Sequence, residues 1–324
     1  MSSTQEQLME LLALSGTAFI SGQAISERLD ISRTAVWKQM KRLEEEGYQI
    51  EAVPNKGYRI VAFPLKMSKN TLQWGLKTKW LGKSMVYQEK MPSTQTKANK
   101  LAQDGYAHGT VVIADRQESG RGRMNRSWFS NNDLGAWLSI ILRPDVPPLQ
   151  APQFTLVAAT VLAELIEEEV GVTPTIKWPN DILIHGKKVA GILTEMQAEQ
   201  DNINHIVIGI GLNVNQTADS FEEEISQFAT SLKIEVEKTL KKQELIQALL
   251  QRFEEAYDRY LLMGFSETKS KWESFGYKIN KEIVYKAGNV EKQGIIRGIS
   301  ADGALRIENE QNQIEVLYSA EIKW

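Results

Sequence analysis

Cysteine is absent from the 324-residue chain. Its absence excludes disulfides, thiolate metal sites and a cysteine nucleophile. Histidine is scarce: His108, His185 and His205 are scattered without metal-ligand spacing, so no zinc site is expected. No run of about 18 apolar residues stands out, so no membrane span is expected. The opening MSSTQEQLMELLALSG lacks a basic n-region and a small-residue cleavage site. That argues against a secretory signal and makes the cytosol the expected compartment. A dominant charge sign is missing too. With a net charge of −3, any nucleic-acid binding has to come from a local patch. There is no internal repeat and no low-complexity tract.

What is present suits a globular protein. The hydrophobic fraction of 42% supports a sizeable core. At about 100–200 residues per domain, the length implies two or three domains. Three compositional zones appear, spanning residues 1–64, 65–275 and 276–324.

The first zone reads as three helices and a hairpin. Leu8, Leu11, Leu12 and Leu14 mark the first helix, and Ile25 and Leu29 the second. Ser32 is the expected N-cap of a third helix from Arg33 to about Glu46, with Val36, Met40 and Leu43 on its buried face and Gly47 ending it. Tyr48–Val53, a Pro54-Asn55-Lys56-Gly57 turn and Tyr58–Ala62 form the hairpin. This is a winged helix-turn-helix pattern. It places Arg33, Thr34, Trp37, Lys38 and Lys41 on or near one helix face, with Lys56 and Arg59 in or beside the wing. Arg33, Thr34 and Lys38 are candidates to reach base edges or phosphates from a major groove. Glu44, Glu45 and Glu46 offset these cations. A helical domain used for protein contacts or dimerisation is therefore the alternative.

The second zone mixes strands (Thr110–Asp115, Ala136–Leu142, Val189–Met196, His205–Leu212) with two long helices, Phe154–Glu169 and Gln243–Leu262. Few regular βα repeats occur, which argues for α+β rather than a doubly wound sheet. The third zone alternates apolar and polar residues over Glu282–Ala287, Gln293–Ile299, Gly303–Glu308 and Ile314–Ser319, with a Gly288-Asn289 turn among others. It reads as a small β-barrel or sandwich.

Chemistry concentrates in the second zone. Gly120-Arg121-Gly122-Arg123-Met124-Asn125-Arg126-Ser127-Trp128 sets two glycines and three arginines directly after a strand. Glycine admits close backbone approach, and amides plus guanidinium forks cradle phosphates. Trp128 can stack on a purine or an apolar ligand. The glycine spacing matches neither a nucleotide-kinase phosphate loop nor a dinucleotide fingerprint. A solvated basic loop is the alternative. Lys177-Trp178-Pro179-Asn180-Asp181 follows, then Lys187-Lys188-Val189-Ala190-Gly191. Pro179 and Asn180 fix a turn between two strands. Asp181 can orient a cation or a metal-bound triphosphate, and Lys188 can stabilise charge developing on a carboxylate or phosphate. A plain hairpin turn and a strand-edge lysine are the alternatives. Gly209-Ile210-Gly211-Leu212-Asn213-Val214-Asn215 puts glycines inside a strand, the mark of close approach by a ligand or by another backbone.

Taken as a set, in this order and spacing, these motifs resemble the biotin protein ligase family, in its bifunctional ligase-and-repressor branch. The resemblance spans essentially the whole chain. It implies an N-terminal winged helix-turn-helix, a central mixed-sheet domain of the biotin/lipoate ligase type and a C-terminal SH3-like β-barrel. Catalytic roles fall to Arg123 and Lys188, with Arg121 and Arg123 at the acyl-phosphate of biotinyl-5′-AMP. Ser93, Thr94 and Gln95 fall at the biotin ureido contacts, Gln95 standing where asparagine is common, and Gln117 matches another biotin contact. Asn180 and Asp181 lie near the phosphates of Mg-ATP, Asp181 touching the metal indirectly. Gly122, Trp128, Lys177, Gly191, Gly209 and Asn213 belong to the same binding motifs. Implied partners are the biotin carboxyl carrier protein of acetyl-CoA carboxylase and other biotin-dependent carboxylases, operator DNA and a second copy of the chain, with biotinyl-5′-AMP as corepressor. A lipoate ligase and a ligand-sensing transcription factor without catalysis are the competing readings.

Overall fold

A computed structural model describes residues 4–322, except 16, 17, 63, 65, 201 and 289. The side chain of Leu14 and the turn residue Asn289, both invoked above, lie outside the described part. The chain divides into two compact units, Met1–Lys77 and Thr78–Trp324.

In the first unit, helices α1 (Thr4–Ser15), α2 (Gly22–Leu29) and α3 (Arg33–Glu45) precede strands β1 (Gln49–Val53) and β2 (Gly57–Ala62) and a short helix α4 (Lys69–Gln73). Both middle helices start on serine caps: Ser21 Oγ accepts from Ala24 N at 3.0 Å and Ser32 Oγ from Ala35 N at 3.1 Å. Each cap satisfies an amide left without an intrahelical partner. The apolar stripes converge on one core of Leu8, Leu12, Ile25, Val36, Met40, Leu43, Tyr48 and Ile60. Gly47, at φ 95°, turns the chain out of α3. The β1–β2 hairpin pairs Ile50 with Ile60, and its turn needs positive φ at Asn55 and Gly57. The winged helix-turn-helix pattern is realised.

The second unit is built on a seven-stranded mixed sheet. Its strands are β3 (Met85–Met91), β4 (Val111–Gln117), β5 (Ala136–Leu142), β6 (Thr175–Lys177), β7 (Asp181–Ile184), β8 (Lys187–Glu199) and β9 (Asn202–Leu212). Their order is β3-β4-β5-β9-β8-β7-β6, and only β3 and β4 run parallel. Helix α5 (Thr94–Gln103) packs on one face through Ala98, Leu101 and Ala102 against Val112, Ile141 and Val207. Helix α6 (Ala151–Val170) covers the other face, where Thr155 Oγ1 meets Thr194 Oγ1 at 2.7 Å. The segment Pro148–Val170 is long and apolar enough to cross a membrane by composition, but 78% of its most apolar stretch is buried in the fold. It is the core helix of the sheet. Two short helices, α7 (Glu223–Ser226) and α8 (Leu232–Val236), lead to α9 (Lys242–Met263) and α10 (Ser266–Phe275). The carboxylate of Glu254 on α9 accepts from the backbone amides of Lys79, Trp80 and Leu81 at 2.6–2.8 Å, clamping the entry to the unit.

The C-terminal strands β10 (Glu282–Ala287), β11 (Val290–Ile299), β12 (Leu305–Glu308), β13 (Ile314–Leu317) and β14 (Glu321–Ile322) form an antiparallel sheet in the order β13-β12-β11-β10-β14. Trp178 Nε1 donates to Gly303 O at 3.1 Å, joining this sheet to the central one.

Candidate active site

A cavity of about 530 Å³ opens on the α5 face of the central sheet. Strand register builds its floor. Ser139 lies opposite Gly209, Leu193 opposite Gly209, and Gly191 opposite Gly211. With side chains alternating along each strand, these positions share one face. Missing side chains leave the hollow. A Cβ on Gly209 would lie 2.5 Å from Gln95 Oε1, and one on Gly211 2.5 Å from Trp128 Nε1. Both glycines admit another side chain, the close approach that the strand glycines predicted.

One end of the cavity is a polar pocket set by the start of α5. Ser93 caps that helix. Gln117 Oε1 accepts from Thr94 N at 2.8 Å and Thr94 Oγ1 at 3.0 Å, while Gln117 Nε2 donates to Ser130 Oγ at 3.1 Å. Ser139 Oγ lies 2.9 Å from Thr94 Oγ1 and 3.1 Å from Gln95 Oε1. Thr94, Gln95, Gln117 and Ser139 are all buried. Such a ring of fixed donors and acceptors suits a small ligand head carrying both N–H and C=O groups.

The other end is charged. Lys188 Nζ forms an ion pair with Asp181 Oδ1 at 2.7 Å and stands 5.1 Å from the Trp128 ring centre. Arg123 donates to Asn180 Oδ1 at 3.2 Å. Burial lowers the Arg123 pKa from its ordinary value, with nearby Asp181 opposing the shift. Asn180 Nδ2 reaches Ile192 O at 2.8 Å, so the turn after β6 is pinned to β8. The basic loop closes on itself: Trp128 N donates to Gly120 O at 2.9 Å and Gly122 N to Arg126 O at 2.7 Å. Met124 sits at its tip with φ 54° and 79% exposed. Arg121 turns back to Glu195, 3.3 Å away. Trp128 Nε1 is buried without a hydrogen-bond partner among the described residues.

The structure thus gathers Ser93, Thr94, Gln95, Gln117, Arg121, Gly122, Arg123, Trp128, Lys177, Asn180, Asp181, Lys188, Gly191 and Gly209 around one cavity. Asn213 is not on its wall. Its Nδ2 donates to Thr230 O at 2.9 Å, and residues 228–230 bracket Lys188: Lys188 N donates to Phe228 O and Thr230 N to Lys188 O. Asn213 therefore supports the segment that holds Lys188. Sequence reasoning missed Ser139, Glu195 and the C-terminal contributors Lys286, Ser319 and Ala320. Ser139 did carry a signal, being a lone hydroxyl in the otherwise apolar run Ala136–Leu142, whose residues are all buried.

Among the described residues, Asp181 is the one carboxylate on the cavity wall and no cluster of three potential metal ligands exists. Such a donor set fits Mg²⁺ carried on a triphosphate rather than a metal caged by protein.

In the first unit, Arg33, Thr34, Trp37, Lys38 and Lys41 share the exposed face of α3, and Lys56 is exposed at the hairpin turn. Arg33 Nε donates to Gln23 Oε1 at 2.7 Å, and Lys41 pairs with Glu44. Arg59 packs over Phe19, 4.6 Å from its ring centre, and pairs with Glu51.

Residues 87–213 match the Biotin/lipoate A/B protein ligase family, residues 278–323 the Biotin protein ligase C terminal domain, and residues 4–59 an HTH domain. The chain belongs to the bifunctional ligase/repressor family of biotin protein ligases. It is 44% identical over 322 residues to the Bifunctional ligase/repressor BirA of Bacillus spizizenii, covering 99% of each chain. It is 30% identical over 304 residues to that of Escherichia coli, covering 93% of this chain and 92% of that one. Among solved structures, the biotin protein ligase from Aquifex aeolicus in complex with biotin and ATP aligns with a TM-score of 0.64 and 31% identity, covering 74% of this chain and 98% of that one.

Proposed function

We propose that the protein is an ATP-dependent biotin protein ligase that also represses transcription in response to biotin. The observation that carries the enzymatic reading is one cavity joining a buried hydrogen-bonding pocket to the Lys188–Asp181 pair and the basic loop. The ureido head of biotin enters the pocket of Thr94, Gln95, Gln117 and Ser139. Its carboxylate then points toward Lys188 and Arg123. ATP lies along the charged end, with Mg²⁺ on its phosphates as counter-charge near Asp181.

The reaction has two displacements. A biotin carboxylate oxygen bonds to the α-phosphorus, the bond to the bridging oxygen breaks, and pyrophosphate leaves. The ε-amine of a carrier lysine then attacks the acyl carbon, AMP leaves, and the amine loses a proton. Both steps depend on positioning and charge stabilisation rather than a protein nucleophile. Lys188 and Arg123 offset the charge that grows on the phosphate oxygens. The loop Gly120–Trp128 closes over the mixed anhydride and keeps water from it.

The acceptors are the biotin carboxyl carrier protein of acetyl-CoA carboxylase and other biotin-dependent carboxylases, and the protein acts in the cytosol. Residues 1–64 bind operator DNA through Arg33, Thr34, Lys38, Lys41 and Lys56. Residues 65–275 carry catalysis, and residues 276–324 close over the nucleotide. The adenylate promotes a homodimer whose two-fold axis matches a palindromic operator.

The test is pyrophosphate release with Mg-ATP and biotin, followed by labelling of a carrier domain. Release and labelling with biotin but not lipoate are expected. Their absence ends the enzymatic reading, and a DNA footprint indifferent to biotin ends the regulatory one.

A further inference from the structure

Glu195 lies just outside the cavity wall and was not among the residues the sequence pointed to. Three side chains meet on its carboxylate. Gln95 Nε2 donates to Oε2 at 3.0 Å, Asn99 Nδ2 donates to Oε2 at 2.6 Å, and Arg121 approaches both oxygens at 3.3 Å. Gln95 Nε2 also faces two backbone carbonyls, Val207 O at 3.2 Å and Leu193 O at 3.4 Å. A carboxylate and two carbonyls accept and cannot donate, so the amide nitrogen of Gln95 has to lie on this side. Its oxygen is thereby turned into the cavity, toward Ser139 Oγ at 3.1 Å and the open space above Gly209.

We infer that Glu195 is a positioning residue for ligand recognition: it locks the Gln95 amide with its oxygen inward, so that Gln95 accepts an N–H from the bound head group. This rests on the reading of that head group as the biotin ureido ring. The carbonyls of Val207 and Leu193 alone leave long contacts, and the carboxylate supplies the shorter one. Asn99, bonded to both Gln95 O at 3.0 Å and Glu195, ties the carboxylate to the first turn of α5. The contact to Arg121 is half-exposed, with side-chain exposures of 38% and 34%, so it contributes little to the lock. The arrangement is a hydrogen-bond device rather than a charge device, and that distinction is measurable.

The experiment compares steady-state biotin-dependent pyrophosphate release in the full-length protein for Glu195→Met, Glu195→Gln, Gln95→Ala and the Gln95→Ala/Glu195→Met double variant. Glutamine at 195 keeps an acceptor oxygen for Gln95 and Asn99, whereas methionine does not. The KM for biotin is expected to rise about tenfold in Glu195→Met, the scale of one lost hydrogen bond to a charged group, and the KM for ATP to stay within about twofold. Glu195→Gln restores the biotin KM to within about threefold of the parent, as expected for a neutral acceptor in place of a charged one. The double variant is no worse than Gln95→Ala alone, because the two residues act through one contact. If Glu195→Met yields no folded protein, Glu195→Asp, which withdraws the carboxylate by one methylene, gives the same comparison. An unchanged biotin KM, equal damage in Met and Gln variants, or additive effects in the double variant overturns the proposal. Failure of the unmodified protein to release pyrophosphate overturns the ligase reading instead.

Discussion

The ammonium of Lys188 lies 2.7 Å from the Asp181 carboxylate, across the β7–β8 hairpin, with the indole of Trp128 beside it. The pair is largely buried, at 27% and 19% side-chain exposure. On the proposed mechanism, it holds a cation where the biotin carboxylate and the α-phosphate meet. Lys188→Ala is expected to slow biotin-dependent pyrophosphate release by about 10²–10³-fold, the scale of a lost oxyanion donor. Lys188→Arg is expected not to restore it. The compact ammonium is held by Asp181 beside the Trp128 ring, and a planar guanidinium on a stem of different length does not reproduce that point charge. Single-turnover pyrophosphate release checks both: a near-parental rate in Lys188→Ala removes Lys188 from the charge-stabilising role, and one in Lys188→Arg shows that any cation there suffices.

On the proposed mechanism, Arg123 governs retention of the intermediate. Its guanidinium is partly withdrawn from water, which lowers its pKa, and its bond to Asn180 is a neutral one at 3.2 Å. A cation so placed gains more from an anion than an exposed one does. Arg123→Gly removes that donor and loosens the loop. The adenylate is expected to leave roughly ten times faster, the scale of one charge-assisted hydrogen bond. A pulse of labelled biotin chased with unlabelled biotin measures the release rate, and equal rates would refute the role.

The course of the chain predicts some of this site directly and hides the rest. Regular elements with strong patterns were legible: β5 falls at Ala136–Leu142 and β10 at Glu282–Ala287, as their alternation or apolar runs imply. The two long helices extend the expected spans by only a few residues, to Ala151–Val170 and Lys242–Met263. Elements with mixed composition were not legible. Strand β3, MVYQEKM, has a polar stretch facing outward at the sheet edge, and α5, TQTKANKLAQ, shows a weak apolar stripe. Yet α5 carries Ser93, Thr94 and Gln95 into the pocket. The basic loop and the Lys177–Asp181 turn were visible because their residue types are chemically unusual together. Glu195 was not, and Ser139 showed only as a lone hydroxyl in an apolar run, because their roles come from strand pairing between β8, β9 and β5, a register that no local pattern encodes.

Lys38 and Lys41 lie on one exposed face of α3 but differ in their surroundings. Lys41 already pairs with Glu44 at 2.5 Å, whereas no ion pair of Lys38 occurs among the described residues. A phosphate has to displace a carboxylate from Lys41 but not from Lys38. Lys38→Ala is therefore expected to weaken operator binding at every sequence and to reduce the slope of log K against log salt by about 0.9, one phosphate contact. Lys41→Ala is expected to change the slope less. A salt titration of operator binding checks this, and the reverse ranking would show that the Glu44 pairing does not keep Lys41 from a phosphate.

The pH dependence of stability turns on His108. Its ring centre lies 4.3 Å from that of Trp80 and 5.4 Å from that of Tyr257, both tilted, and its Nδ1 accepts from Arg143 N at 3.0 Å. Burial lowers its pKa first of all; Asp258 opposes that shift and Arg143 adds to it. His205 is shifted the same way by burial and Arg143. A ring that accepts at Nδ1 while buried beside an arginine is held neutral. The unfolded chain takes up a proton near the ordinary histidine value of about 6.5, before the folded chain does. The stabilisation is therefore complete above that value and is lost as pH falls through the lower folded pKa. The melting temperature is expected to drop between pH of about 7 and about 5. His108→Asn keeps an acceptor for Arg143 N without a titrating ring, so its drop should be shallower, with His205 supplying part of what remains. Thermal melts of both proteins across that range decide it: parallel curves would mean that protonation of His108 costs the fold nothing.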